Sequence, residues 1–345
     1  MSESCYLPVF SIESATTFAC ELFGVEGTMQ LLAGERDLNF VIDDRQGRYV
    51  FKIANDDEHP QMLDCQHQVF ERLHRAAVFE RAVLPVKSIN GNTVETVVSG
   101  SGIAHQCRML PYIEGRLLSQ IKNYSPALLE NLGRRLAQLD QALQEFQHPA
   151  LARTILWQLP DALHIIDKYS PLLADQQRHE LVETFARGFR ERVLPLIDQL
   201  RPAVIHNDAN DNNVLVDETG LTVISIIDFG DMVNSWLVAE PAIAAAYAML
   251  ENDDPITAAT EILRGYHSML PLNQAEIKVY FDLICMRLCM SVCLCAYQRS
   301  IEPDNKYLSV SERPAWALLA KLESVDVAAV QRCFEVCAVE SPPVF

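Results

Sequence analysis

A polar loop between two apolar runs, residues 206–213, dictates much of what this chain can fold into. A turn-forming segment follows at 217–220, and the apolar segment 221–227 after it has the composition of a β-strand. Strands joined by such a turn form a hairpin, which brings its two ends together. We therefore expect Asp228, the residue after the second strand, to lie beside Asp208 of the loop.

The side chains that this hairpin would bring together suit phosphoryl transfer. His206, Asp208 and Asn213 have the spacing H-x-D-x-x-x-x-N, and Asp228 begins the tripeptide Asp-Phe-Gly. This spacing matches the catalytic loop and the metal site of protein kinases, without the Arg that usually follows the His. Mg²⁺ takes hard oxygen ligands, usually one or two carboxylates plus phosphate oxygens. We expect Asp228 and Asn213 to hold Mg²⁺, and Asp208 to accept the proton of an incoming hydroxyl group.

These motifs resemble those of the aminoglycoside phosphotransferase and choline kinase group of small-molecule kinases, and within it the hydroxylysine kinases. The segments 34–40, 49–53 and 303–308 share the resemblance, so that it extends over nearly the whole chain. It implies that His206 is structural and hydrogen-bonds the backbone near the metal-site turn. Turn capping is the other role that such loops have, and we assign it to residues 210–212.

The predicted fold class is α+β, a protein-kinase-like bilobal fold. An N-lobe at 1–111 would hold an antiparallel sheet, and a mostly helical C-lobe at 112–345 would carry the catalytic loop. Strand-like segments occur at 28–32, 38–43, 48–54, 83–89, 93–98 and 103–110. Helical patterns occur at 11–23, 59–77, 128–146, 177–194, 242–250, 257–269, 274–300 and 313–322.

Lys52 is the candidate for binding the phosphates of a donor nucleotide, ATP or GTP. Alternate residues of a strand point to opposite faces, which places Lys52 between apolar neighbours of the segment 48–54. A lysine that snorkels at a sheet edge is the alternative. Protein kinases pair this lysine with a Glu on the next helix; here Gln66 stands at that position, and Asp64 is the other possible partner.

Two further features of the predicted N-lobe concern the donor. Segment 34–40 occupies the place of a nucleotide-covering loop, although it contains a single glycine. The stretch 109–115 has the character of an extended linker, in which the backbones of Leu110 and Tyr112 could hydrogen-bond a purine edge. A simple crossover between the lobes is the alternative interpretation.

The resemblance implies transfer of a γ-phosphoryl group to the hydroxyl of an amino alcohol or hydroxy-amino acid, with 5-hydroxylysine as the best single candidate. Homoserine, choline, ethanolamine, an aminoglycoside, or a pseudokinase without turnover are the alternatives. A cationic substrate needs an acidic partner. We name Asp231 for this role, with a turn cap as its alternative, and expect Glu240 to be a structural residue at a helix start.

Composition excludes several classes of partner. The formal net charge of −18 argues against nucleic-acid binding and against an anionic membrane surface. No uninterrupted apolar stretch reaches membrane-spanning length, since the most apolar segment, 284–297, contains Arg287. Cys285, Cys289 and Cys293 recur on one helical face without a His or a second Cys pair at zinc spacing, which favours core packing over a metal site. Such thiols without a secretory segment suggest a cytoplasmic protein.

Overall fold

The computed structural model describes residues 8–32, 34, 36–80, 83–301 and 312–340. The chain divides into two compact units, residues 1–114 and 115–345. The segment 303–308, which shares the family resemblance, lies outside the described residues, as does Glu35 of the loop 34–40.

The first unit is built on a five-stranded antiparallel sheet of spatial order β1-β2-β3-β5-β4. Its strands are β1 (Gly27–Leu32), β2 (Leu38–Asp44), β3 (Gly47–Ile53), β4 (Glu95–Val98) and β5 (Ala104–Pro111). Its helices are α1 (Ile12–Phe23) and α2 (Pro60–Arg75). The predicted antiparallel sheet and both helices are confirmed.

The prediction of a strand at 83–89 is wrong. Among the residues described there, only Val86 makes a β-bridge, to Met109. The amide of Ile89 donates to the carbonyl of Leu22 at the end of α1 (2.8 Å), and Ser88 closes a turn instead of joining a ladder. This segment is therefore a connection that contacts the end of α1, and not a strand of the sheet.

Helix α1 begins and ends as its sequence dictates. The hydroxyl of Ser11 accepts a hydrogen bond from the Ser14 amide (3.1 Å), which caps the first turn. Gly24 ends the helix in the left-handed conformation, with φ +67°, where a side chain would be strained. The buried face of α1 carries Ala15 and Ala19, and it packs on the core side of the sheet.

The second unit contains two small sheets and most of the helices. The hairpin β8 (Val214–Val216) and β9 (Val223–Ile226) pairs with β6 (Arg116–Leu117), while β7 (Pro202–Ile205) pairs with β10 (Val233–Trp236). The helices are α3 (Pro126–Leu143), α4 (Ala162–Tyr169), α5 (Gln176–Arg192), α6 (Ala239–Ala248), α7 (Pro255–Met269), α8 (Gln274–Ile301), α9 (Glu312–Glu323) and α10 (Val327–Glu340). The mostly helical character is confirmed, although α4 and α10 were not predicted.

Helix α8 forms the centre of this unit. It corrects the expectation that no apolar stretch of the chain reaches membrane-spanning length. Its 28 residues are long and apolar enough to cross a membrane by length and composition alone. However, 94% of its most apolar window is buried inside the structure, as expected for a core helix that is apolar on all sides. Cys285, Cys289 and Cys293 are free, buried thiols on this helix, so the prediction that they pack in the core is confirmed.

Three buried charged residues interrupt the apolar surface of α8. Glu276 accepts hydrogen bonds from the Arg201 guanidinium (2.6 and 2.9 Å), and Asp282 accepts them from Arg192 (2.6 to 3.1 Å). The third is Arg287, which reaches the catalytic loop. Burying a charge is costly unless it is paired, and each of these residues has a partner of opposite charge.

Helices α3 and α7 approach so closely that their backbones touch. A Cβ atom added at Gly133 would lie 2.1 Å from the carbonyl oxygen of Ile262, and one at Gly265 would lie 1.9 Å from that of Glu130. Both obstacles are backbone atoms, which cannot rotate away. Glycine at these two positions is therefore a packing requirement.

We expect Gly133→Ala to lower the free energy of unfolding by about 1–3 kcal/mol or more, because the added methyl group forces the two helices apart. Chemical denaturation measures this difference. Gly100→Ala is the matched control, since no atom lies within 4 Å of the Cβ it would introduce, and it should change stability by less than about 0.5 kcal/mol. Equal stability of the two variants would contradict the close contact of α3 with α7.

Candidate active site

The predicted hairpin forms and aligns the ends of its strands. Val214 of β8 pairs with Ile226 of β9, and the amide of Ile227 donates to the carbonyl of Asn213 (2.9 Å). At the opposite end, the carboxylate of Asp217 accepts hydrogen bonds from backbone amides of the turn. This ladder brings Asn213 and Asp228 to the same end of the hairpin.

His206 holds the loop together and has no nitrogen left for catalysis. Its Nδ1 accepts a hydrogen bond from the Asp208 amide (3.2 Å), so the ring proton lies on Nε2 and is donated to the carbonyl of Ile227 (3.0 Å). The ring packs edge-on against Phe229, with centroids 4.6 Å apart. Burial lowers the pKa of His206 to about 4, which keeps the ring neutral. These contacts fit the structural role expected for His206.

Glu240 secures the beginning of the same loop. It lies fully buried in the first turn of α6, and its carboxylate accepts hydrogen bonds from the amides of His206 and Asn207. Asn207 has the left-handed φ of +66°, a conformation that such contacts must stabilise. Burial raises the pKa of Glu240 to about 7. The residue is thus structural, as expected from its position at a helix start.

Asp208 lies at the centre of a group of hydrogen-bond donors. Its Oδ1 accepts from Asn210 Nδ2 (3.0 Å) and from a guanidinium nitrogen of Arg287 (3.2 Å), and its Oδ2 accepts from Asn213 Nδ2 (2.7 Å). Burial raises the pKa of Asp208 to about 8; the charge of Asp231 adds to this shift, and Arg287 opposes it. Perturbed carboxyl groups of this kind are typical of active sites.

Asn213 and Asp228 have the chemistry that a divalent cation requires. Both hydrogens of the Asn213 amide are used by Asp208, because Nδ2 donates to its Oδ2 and to its main-chain carbonyl (2.9 Å). The side-chain oxygen of Asn213 therefore faces away from Asp208. Asp228 is exposed and has a left-handed φ of +61°, an uncommon conformation for a residue other than glycine. A carboxylate and an amide oxygen fit Mg²⁺.

The remaining ligands of such a cation would have to come from the donor. Among the described residues, no group of three His, Cys, Asp or Glu side chains could hold a metal ion by itself. Mg²⁺ sites of nucleotide-dependent enzymes commonly use only one or two protein carboxylates and take further oxygens from phosphate.

Asp231 lies buried in the short turn that follows Asp228. Its charge contributes to the pKa shifts of both Asp208 and Arg287, so the three side chains form one electrostatic group. Arg153, which the sequence did not single out, fixes this turn by donating to the main-chain carbonyls of Gly230 and Met232. The structure thereby brings Asp231 close to the catalytic loop.

Lys52 points away from the apolar core, as its position in β3 predicted. Phe51 and Ile53 belong to the core that packs against α1, while Lys52 lies on the other face of the sheet. Its ammonium group forms an ion pair with Asp37 (3.6 Å), a residue that was not considered.

Gln66 does not take the place of the kinase Glu in that ion pair. Its side-chain oxygen accepts a hydrogen bond from a buried arginine of β5, Arg108 (2.7 Å), which is the register partner of Lys52. The other proposed partner, Asp64, accepts a hydrogen bond from Gln68 (2.8 Å). An acidic charge beside Lys52 therefore comes from Asp37, in the segment before β2.

The backbone amides of Leu110 and Tyr112 are turned toward β3. The Tyr112 amide donates to the carbonyl of Arg48 (2.9 Å), and Leu110 is the register partner of Val50. Hydrogen-bonded pairs alternate along antiparallel strands, so Leu110, two residues from Tyr112, also bonds to β3. Neither amide is then available to a purine.

The intervening residues face the other edge of β5. Met109 accepts there from the amide of Val86 (2.8 Å), and by the same alternation the carbonyl of Pro111 points to this edge. The Pro111 carbonyl, which lies between the two predicted residues, therefore points away from β3.

Comparison with known proteins identifies the group to which this chain belongs. The model of the phosphotransferase enzyme family matches residues 28–278, which include β3 and the whole hairpin with its loop. The chain belongs to the phosphotransferase enzyme family. A hydroxylysine kinase of Mus musculus is 32% identical, and the similarity covers 96% of this chain and 94% of that protein. A hydroxylysine kinase of Bos taurus is 29% identical over the same shares.

Solved structures of phosphotransferases share the fold. A microcompartment-associated aminopropanol kinase superimposes with a TM-score of 0.71 at 17% identity, covering 91% of this chain and 98% of that one. An amicoumacin kinase in complex with AMP-PNP, Ca²⁺ and Ami gives a TM-score of 0.67 at 17% identity, covering 96% and 95%. The predicted kinase-like fold class is thereby confirmed.

Membership of the family has direct functional consequences. This phosphotransferase is a small-molecule kinase that acts on a hydroxyl group. The expectation of an enzyme of this class, based on the spacing of His206, Asp208 and Asn213, is confirmed.

Proposed function

We propose that this kinase transfers the γ-phosphoryl group of ATP or GTP to the hydroxyl of an amino alcohol or hydroxy-amino acid, with 5-hydroxylysine as its acceptor. The observation that carries the proposal is the environment of Asp208, a carboxylate held by three donors and joined through Asn213 to the hairpin end that bears Asp228. The names of the relatives from Mus musculus and Bos taurus support the choice of acceptor.

Asp208 orients the acceptor and receives its hydroxyl proton. Asn213 and Asp228 would hold Mg²⁺, which when bound neutralises the charge of the donor phosphates. Catalysis by such a site is mainly positioning and electrostatic stabilisation, because the group transferred passes between two oxygens with little covalent participation of the protein.

The first unit supplies groups that bind the donor nucleotide. The ammonium group of Lys52 binds donor phosphates, with Asp37 as its resting partner. We assign the purine contact to the carbonyl of Pro111, which lies between the predicted Leu110 and Tyr112 and faces the open edge of β5. A carbonyl can accept a hydrogen bond from the amino group of adenine or guanine.

The acceptor's amine is recognised by the carboxylate of Asp231. This group lies buried near Asp208 and shares one cation, Arg287, with it. The local excess of negative charge favours a substrate ammonium group over a neutral substituent.

We therefore expect 5-hydroxylysine to be phosphorylated with a catalytic efficiency about tenfold or more above that of the analogue lacking the side-chain ammonium, since a charge-assisted hydrogen bond contributes about 1.5–3 kcal/mol. Steady-state kinetics with both acceptors measures kcat/KM. In Asp231→Asn the preference should shrink, because the amide cannot pair with the ammonium charge.

Each alternative acceptor has its own outcome in that assay. Equal efficiencies for the two acceptors would contradict amine recognition and leave the kinase assignment intact. If homoserine, choline, ethanolamine or an aminoglycoside is phosphorylated with a higher catalytic efficiency, that compound replaces hydroxylysine as the proposed substrate. Nucleotide binding without turnover of any acceptor would indicate a pseudokinase.

A further inference from the structure

Arg287 is the largest fully buried side chain of the described residues, and it lies in the middle of α8. Its guanidinium donates to the carbonyl of Trp157 (2.6 Å) and to Asp208 Oδ1 (3.2 Å). The guanidinium carbon lies 4.7 Å from the ring centroid of Trp157 and 5.6 Å from that of Tyr247. Two aromatic rings, a carbonyl and the catalytic-loop carboxylate thus surround one buried cation.

Stability alone gives no reason for a cation at this place. Replacing a buried ion pair with apolar side chains of similar volume is often neutral or stabilising. The other buried charges of α8, Glu276 and Asp282, pair with arginines away from the loop. Arg287 differs from these two residues because its partner is Asp208, the proposed proton acceptor of the reaction.

The hydrogen bonds of the Asp208 carboxylate distinguish its two oxygens. A carboxylate oxygen has two lone-pair sites. Oδ1 uses both, because it accepts from Arg287 and from Asn210. Within the described part of the chain, Oδ2 accepts only from the amide of Asn213 (2.7 Å), and it keeps one site for another donor.

We propose that Arg287 is a positioning residue that fixes Oδ1 of Asp208 and thereby presents Oδ2 to the hydroxyl group of the acceptor. The inference rests on the proposed role of Asp208 as the proton acceptor. In the transfer, the acceptor oxygen forms a bond to the γ-phosphorus, and the bond between this phosphorus and the bridging oxygen breaks. The nucleoside diphosphate leaves with the electron pair of that bond, and the hydroxyl proton passes to Oδ2.

Arg287→Met and Arg287→Gln remove the guanidinium while filling much of its volume. We expect each to lower kcat about 10- to 100-fold, the effect of losing a charge-assisted hydrogen bond to the reacting group, with unchanged nucleotide affinity. Arg287→Lys keeps the charge and should recover part of kcat. Asp282→Asn is the control, since it alters another buried charge of α8 and should leave kcat unchanged.

A double-mutant cycle with Asp208→Asn separates positioning from a general effect on the fold. All variants are compared on whichever acceptor the wild type phosphorylates, and thermal melting identifies those that fold. If Arg287 acts through Asp208, Arg287→Met or Arg287→Gln will lower kcat by less than about twofold when added to Asp208→Asn.

Two results would overturn the inference. One is a folded Arg287→Met or Arg287→Gln variant whose kcat stays within about twofold of the wild type. The other is an equal loss of kcat with and without Asp208. Both results compare kcat with and without the Arg287 guanidinium, whereas the loss of kcat in Asp208→Asn relative to the wild type tests the proposed function, so that failures of the two proposals can be told apart.

Discussion

Asp208→Asn will reduce kcat by about 10²–10⁴-fold, the contribution typical of a general base, while the affinity for the nucleotide stays close to that of the wild type. The substituted amide cannot receive the acceptor's proton. Asn213 should keep its place in this variant, because it also donates to the main-chain carbonyl of residue 208 (2.9 Å). The metal side of the site is therefore preserved.

Single-turnover rates together with nucleotide titration test this expectation. Asp217→Asn is a matched control, because this carboxylate lies at the far end of the same hairpin and caps its turn, so its loss should change stability and not the rate. A collapse of nucleotide affinity in Asp208→Asn, with a high residual rate at saturation, would instead make Asp208 a residue of the donor site.

Asp228→Ala will lower turnover by about 10³-fold or more, because the site loses the carboxylate that would hold the cation against the donor phosphates. The affinity for the nucleotide in the presence of Mg²⁺ should fall toward the value measured without it. The fold should persist, since Asp228 is exposed and follows the last hydrogen-bonded pairs of β9.

Backbone strain requires a second variant at this position. Asp228 has φ +61°, a left-handed conformation that costs an L-residue about 1–2 kcal/mol and that asparagine tolerates better than alanine. Asp228→Asn keeps the conformation and removes the charge, so both variants should lose Mg²⁺-dependent nucleotide binding in calorimetric titrations. Normal turnover in Asp228→Asn would remove this residue from the metal site.

The hairpin and its two ends could be predicted because the relevant interactions are local. The turn at 217–220 and the alternation of the flanking strands determine which residues meet, and the ladder from Val214 to Ile226 follows from them. The orientation of Lys52 was predictable for the same reason, since strand parity needs no knowledge of the tertiary structure.

The partners of the site residues could not be predicted, because they come from distant parts of the chain. Arg287 lies 79 residues after Asp208, and Arg153 lies 79 residues before Met232. The sequence did contain one indication, a single arginine inside the apolar segment 284–297. A charge that is buried requires a partner, so this pattern predicts an ion pair although it does not identify the other residue.

The two helices that sequence patterns missed have physical explanations. Helix α4 is short and lies between Pro160 and Pro171, residues that are typical of loops. Helix α10 leaves Val336 and Val339 exposed by 54% and 82%, so that its apolar residues do not follow one buried face.

The central claim, that this chain phosphorylates a hydroxyl group of an amino-bearing acceptor, is tested most directly by ³¹P NMR of a reaction containing the protein, Mg²⁺, ATP or GTP and 5-hydroxylysine. We predict the resonance of a phosphate monoester on the hydroxyl oxygen, formed in a one-to-one ratio with the nucleoside diphosphate and about 10²-fold or more slowly with Asp208→Asn. Release of inorganic phosphate alone, at the same rate with and without any amino alcohol, would contradict the account.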